Sequence, residues 1–323
     1  NPTPRARPWM RDGLARNLRA VFSGEEALVV TDDAPVADWL GAAGVPATTF
    51  DDLLRPGRDM PRKVLAIPLD WERLPSRHAL RGIFADASVL WMPLGSFSCD
   101  PAEARYALER FADIDITDAV AMNRRILSRL LLAPQAVSLS GPDTLLTVRL
   151  PDALQLLCRT RVGMLPDEHA SFGNYFEVAM SPTDLSGHVD TELSVSGTLR
   201  IDSALVARHR ELKSMPPGSF GEATALAHDL RRACPLQLSI RDNRIVDGLG
   251  PWARALQALC GPDNGSALTE VAVGTGLLPP ENIDWSLNCL VNEGASGIHV
   301  GIGNGISGMH FDFISTEAHF DGT

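Results

Sequence analysis

Hydrophobic runs and helical stretches alternate along the first third of the chain. ALVVTDD (27–33) is an apolar strand ending in acids, and APVADWLGAAG (34–44) has helical period with Gly44 as its stop. KVLAIPL (63–69) and SVLWMPL (88–94) are two further buried strands, separated by a helical RHALRGIFAD (77–86). PAEARYALERF (101–111) follows with Asp100 as N-cap and Pro101 at its first position, and Asp118 is placed to cap DAVAMNRRILSRLLL (118–132). Continuous apolar strands alternating with helices predict a parallel sheet covered on both faces.

The pattern changes near Pro134. TLLTVRL (144–150), LQLLCRTRV (154–162), GNYFEVAMSP (173–182), LSVSGTLRID (193–202) and ALTEVAVG (267–274) read as strands, and QLSIRDNRIVDG (237–248) as a hairpin over Asp242-Asn243. GSFGEATALAHDLRRAC (218–234) and PWARALQALC (251–260) read as helices. The fold class is therefore α/β: an N-terminal parallel-sheet α/β domain over 1–135, followed by a mixed α+β domain over 136–323 that carries the candidate metal site.

That site begins with GIHVGIGNGISGMHFDFI (297–314), which reads as two strands around an Asn304-Gly305 turn. A two-residue loop pairs 301 with 308 and sets His299 directly opposite His310, with Cβ atoms about 5 Å apart. Asp312 then shares their face, because side chains alternate along a strand. One face carries only glycines, two imidazoles and a carboxylate; the other is Ile298, Val300, Ile302, Met309, Phe311 and Phe313. Glycines leave room for a ligand, and imidazole with carboxylate suits a divalent ion. Glu270 and Glu177 lie in otherwise apolar strands, where a carboxylate is costly to bury unless paired or metal-bound. Glu293 precedes the hairpin in a small-residue loop, placed as a ligand or a proton carrier.

Composition narrows the partners. A net charge of −11 with no basic run argues against nucleic acid. Five scattered cysteines without a C-x-x-C argue against a disulfide scaffold and for a reducing compartment. No apolar run approaches the ~20 residues of a membrane span, and NPTPRARPWM lacks a signal-peptide core. The expectation is a cytoplasmic chain with no membrane or nucleic-acid partner. Gly303-x-Gly305-x-x-Gly308 bridges two strands with no helix after it, so its phosphate-loop reading fails, and no G-x-S-x-G elbow is present. His319 is expected in a frayed, solvated tail.

The order N-x-x-E-V-x-x-S-P, then Thr-Glu-x-x-x-Gly-Thr, then E-x-x-x-G-x-H-x-x-x-G, then H-x-D resembles the metallopeptidases of the aminopeptidase T and leucyl-aminopeptidase group. The resemblance implies that Glu177, Glu270, His299, His310 and Asp312 hold one or two divalent ions (Zn, Mn or Fe), that Glu293 moves the proton, that the partner is a peptide, and that the chain forms a homodimer. It also implies an α/β domain ahead of the site. Three features depart from it: the segment between the two histidines is short and lacks a tyrosine, Glu293 is offset by one residue, and Gly276 stands where an Asn is usual. Two relatives of the same architecture frame the alternatives. The 2,5-dihydroxypyridine dioxygenases keep His, His and Asp as a mononuclear iron site. The peptidase-like proteins of crocagin-type modified-peptide pathways bind or hydrolyse a peptide, and the shortened C-terminal region is most similar to these. The expected functions are accordingly a metal-dependent peptide hydrolase, a peptide-binding protein without turnover, or an iron dioxygenase.

Overall fold

In the computed structural model, residues 8–321 are described apart from 134, 153, 155, 183–192, 211, 213–214 and 262–264. Strands β1 (Leu28–Thr31), β2 (Ala47–Thr49), β3 (Lys63–Ile67) and β4 (Ser88–Trp91) pair in parallel, in the order β2-β1-β3-β4. Three of the four were legible as apolar runs. The fourth, β2, is a short Ala-Thr-Thr edge with no hydrophobic run to reveal it. The helix predicted from Asp118 instead spans Ile116–Leu132, with Asp115 accepting from the Thr117 N–H. The earlier aspartate wins because Ile116 is itself buried and belongs to the helix.

Two antiparallel sheets follow. One contains β5 (Ala136–Gly141), β6 (Thr144–Arg149), β10 (Ser194–Ile201), β12 (Leu236–Arg241), β13 (Arg244–Asp247) and the terminal β17 (His319–Phe320). The second, which carries the site, runs β11-β16-β15-β14-β9-β7, where β7 is Leu156–Leu157, β9 Glu177–Met180, β11 Ser203–Ala207, β14 Leu268–Gly274, β15 Gly297–Ile302 and β16 His310–Ser315. The remaining strand, β8 (His169–Ser171), leaves these sheets and pairs in parallel with β4 as a fifth strand of the first sheet. Of the predicted strand 154–162, only β7 forms among the described residues; Arg159 beyond it is drawn off into an ion pair with Glu168. His319 is exposed as expected, yet it is paired to Ser140 and not frayed.

The site-bearing sheet is packed on both faces. Val178, Met180, Val271, Val273, Val300, Phe311 and Phe313 point into a core shared with the first antiparallel sheet. On the other face, Leu205 and Ile314 join the core that covers the parallel sheet. This second interface, between sheet and α/β layer, is where the polar residues of the C-terminal strands lie. Among the described residues no helix is long and apolar enough to cross a membrane. The five cysteines are free.

Candidate metal centre

The 297–314 hairpin forms, but in a different register from the one a two-residue turn dictates. Gly301 pairs with Asp312 and His299 with Ile314, and residues 303–309 make a wide loop. Local bonds explain the difference. The Asn304 carboxamide oxygen accepts from the backbone N–H groups of Ile306 and Ser307 and from the Ser307 hydroxyl. The Met309 N–H donates to Leu259 O at the end of helix Ala253–Cys260, which draws the loop away from its own strands. His299 and His310 are therefore not direct neighbours across the ladder. The slip is an even number of residues, so every side chain keeps its face. His299, His310 and Asp312 still share the glycine-lined side.

The neighbouring strands bring the carboxylates to the same face. On β14 the register shifts between Leu268 and Glu270, a bulge that sets Glu270 opposite Gly301. The Thr269 hydroxyl holds this bulge by donating to Gly303 O at 2.6 Å. On β9, Glu177 pairs with Gly274 and so lies beside the row of Ala272 and His299. Glu293 comes from the short helix Leu290–Glu293. The structure thus brings all six sequence-predicted residues together. Glu177, Glu270 and His299 have ligand atoms within 4.8 Å of one another; so do Glu270, His310 and Asp312, and so do Glu293, His299 and Asp312.

Glu270 is the centre of the cluster. Its Oε1 lies 3.4 Å from His299 Nε2, and its Oε2 lies 3.4 Å from His310 Nε2. His299 Nε2 is also 3.6 Å from Glu177 Oε2, and His310 Nε2 is 2.8 Å from Asp312 Oδ1. His299 and Asp312 are buried. The side chains of Glu270 and His310 keep 21% and 14% of their exposure, so a ligand reaches the cluster from their side.

Titration is strongly perturbed. Burial, then the charges of Glu270 and Asp312, push Glu177 well above the usual carboxylate range. Burial, then Asp312 and Glu177, do the same to Glu293. Burial acts against the charge of Glu270 too, but the two imidazoles that approach its oxygens overcome it and hold that carboxyl low. Burial disfavours the His299 imidazolium, yet the close approach of Glu270 and the surrounding acids raise it to about 9. His310 rises well above its ordinary value for the same reason, with Asp312 the main charge.

The residues fit a divalent cation. His310 Nδ1 lies 2.6 Å from Gly303 O, a backbone acceptor that fixes the proton on Nδ1 in the neutral ring and frees the Nε2 lone pair. Nε2 faces the Asp312 and Glu270 carboxylates, so without a metal that position is held by a proton and a divalent cation would take its place. His299 Nε2, Glu177 Oε2 and both Asp312 oxygens are buried without a properly directed hydrogen bond. Buried polar atoms are normally satisfied, and a cation in one or two of the overlapping sets would satisfy them. Imidazole and carboxylate donors are those of Zn, Mn and Fe sites.

Sequence reading missed three supports of the cluster. Gly301 is required by space: a Cβ there would lie 2.5 Å from His310 Cε1 and 3.0 Å from Asp312 Oδ1. Gly303 supplies the carbonyl for His310 and adopts φ +74°. Thr269 is the bulge residue. Glycine and threonine alternation gives no signal for a bulge, so none of the three was readable as a role.

A family model described as crocagin biosynthetic protein CgnE/B matches residues 24–322. No curated protein is significantly similar in sequence. Among solved structures, 2,5-dihydroxypyridine dioxygenase from Pseudomonas putida KT2440 is similar at TM-score 0.50 and 12% identity, covering 99% of this chain and 95% of that one. Wild-type AmpT from Thermus thermophilus gives TM-score 0.49 and 14% identity, over 96% of this chain and 92% of that one. At these identities the first likeness speaks to fold alone.

Proposed function

The chain belongs to the family of crocagin biosynthetic protein CgnE/B, and on that premise we propose that it is a divalent-metal-dependent hydrolase of a peptide amide bond in a crocagin-type pathway. The observation that carries this reading is the convergence of His299, His310, Glu177, Glu270 and Asp312 into overlapping sets of ligand atoms, those of His299, Glu177 and Asp312 buried and unsatisfied. Glu270, with one oxygen toward each imidazole, would be the shared ligand between two adjoining positions. A bound divalent ion supplies Lewis acidity, polarising a carbonyl and acidifying water. The chain supplies the rest. Gly303 O orients His310, and Glu293, beside His299 and Asp312, would take the proton of the attacking water and pass it to the departing amine.

The grouping of donors favours this over a mononuclear iron oxygenase. Each set lying within 4.8 Å holds one histidine and two carboxylates, whereas such an oxygenase uses two histidines with one carboxylate.

A second reading, peptide binding without turnover, is favoured by the tyrosines. Tyr106 donates its hydroxyl proton to Asn292 Oδ1 and Tyr175 donates to Val162 O, so both hydroxyls are engaged away from the cluster. The deciding experiment incubates purified protein with candidate pathway peptides, with and without Zn, Mn or Fe. The hydrolase reading expects metal-dependent cleavage that His310→Ala abolishes. Tight binding of the intact peptide, with no product under any metal, would replace it with the second reading.

A further inference from the structure

A second cavity lies at the carboxyl ends of the parallel strands, where open α/β sheets place their ligands. It measures 420 Å³ and is bounded by Trp91 at the end of β4, Ser171 at the end of β8, and Trp71 beyond β3. That volume is within the usual range for small organic ligands. Its charge is opposite to that of the molecule. The chain has 40 acidic and 29 basic residues, yet the lining contains Arg77, Arg81 and Arg210 and no Asp or Glu.

Each basic group is placed differently. Arg77 and Arg81 are four residues apart on the helix Arg77–Ile83 and therefore share a face. Like charges at this spacing repel, a cost that an anion between them removes. Arg210 is fixed: its guanidinium lies 5.0 Å from the Trp71 ring centroid and donates to Leu74 O and Pro75 O. His169 contributes shape and not charge. Its Nδ1 accepts from the Trp91 indole N–H at 3.3 Å, and its Nε2 lies 3.1 Å from Phe84 O, which together specify the neutral Nε2–H tautomer. The two tryptophans add flat apolar wall beside the arginines.

The cavity adjoins the metal centre. Its wall residue His209 donates its backbone N–H to Gly305 O at 2.8 Å, and a Cβ on Gly305 would lie 3.7 Å from His310 Cβ. Another wall residue, Asn174, belongs to the turn Gly173–Tyr175 that leads directly into Glu177, and a Cβ on Gly173 would lie 3.3 Å from Glu177 Oε1.

We propose that this cavity binds an aromatic carboxylate, the ring lying against Trp71 and Trp91 and the carboxylate between Arg77, Arg81 and Arg210. In a peptide substrate it would hold an anionic aromatic end beside the metal centre. That use rests on the hydrolase reading; the binding does not.

The test is therefore direct binding, followed by calorimetry and tryptophan fluorescence on the metal-free protein. The probes are N-acetyl-phenylalanine, its uncharged amide, and acetate. The carboxylate should bind about tenfold or more tighter than the amide, since hydrogen bonds to charged groups are the stronger kind, and acetate should bind weakest for want of a ring. Arg77→Met/Arg81→Met should lose that preference with an unchanged melting temperature, because both side chains are exposed. Two amidated or free peptides then locate the carboxylate: preference for a free C-terminal Phe assigns a chain end, and equal binding of an amidated Asp-Phe peptide assigns a side chain, both in support. Equal affinity for acid and amide, or a double variant that binds like the parent, would overturn the proposal. Hydrolysis surviving that result would leave the metal centre standing alone, whereas intact acid binding without hydrolysis would remove only the hydrolase reading.

Discussion

One carbonyl decides what His310 can do. Gly303 O engages Nδ1, and Nε2 is thereby directed at Asp312 and Glu270. The space for that ring is the missing side chain of Gly301. Gly301→Ala should therefore displace the imidazole: we expect metal affinity to fall about tenfold or more, with a stability loss of about 1–3 kcal/mol from overpacking, measured by metal titration and thermal melting. Protonation gives a second prediction at this scale. His299 rises from 6.5 to about 9, so its contribution to stability is complete below the unfolded value and is lost as pH climbs through the folded one. The raised carboxyls of Glu177 and Glu293 act in the same direction, beginning from the ordinary carboxylate range. The depressed Glu270 acts oppositely, and its contribution is lost only in strong acid. Metal-free protein should consequently melt lower as pH is raised from about 6.5 to 9. Metal uptake at pH 7 should release about one proton or more, which calorimetry in buffers of differing ionisation enthalpy will read.

At the scale of elements, the hairpin shows what a sequence pattern specifies and what it omits. Alternation fixed which side of the sheet His299, His310 and Asp312 occupy, since any even slip preserves it. It did not fix the pairing, because Asn304 builds a local turn and Met309 bonds to a helix end remote in sequence. The bulge at Thr269 was invisible for a similar reason: its stabilising bond reaches Gly303, on another strand. The parallel strands β1, β3 and β4 were readable because both faces are buried and each is a continuous apolar run. By contrast, β8 offers only His-Ala-Ser, and nothing local marks it as a partner of β4. Gly308 tests the loop's anchoring. A Cβ there would meet the Cys260 carbonyl carbon at 2.3 Å, and backbone cannot yield cheaply. Gly308→Ala should cost about 1–3 kcal/mol and weaken metal binding by loosening the segment before His310.

For the whole molecule, the candidate metal centre is a polar island between an antiparallel sheet and the layer that covers the parallel one. Such an interface stays in register through buried polar bonds. Asn123, on the helix Ile116–Leu132, donates to Tyr175 O at 3.1 Å and to Arg159 O at 3.0 Å, and it accepts from the Thr275 hydroxyl at 2.6 Å. This one buried side chain ties the helix to the segments just before Glu177 and just after β14. Asn123→Leu leaves those partners unsatisfied and should cost about 2–4 kcal/mol in chemical denaturation, the penalty for orphaned buried polar groups.

The most direct test of the metal centre is the number of divalent ions bound per chain, determined by elemental analysis after equilibration with Zn, Mn or Fe and removal of excess. The wild-type chain should retain one or two ions, and Glu270→Ala, which removes the carboxylate both imidazoles face, should retain none while keeping its fold. A folded wild-type chain that retains no ion, or a Glu270→Ala variant that holds as many as the parent, would contradict the account.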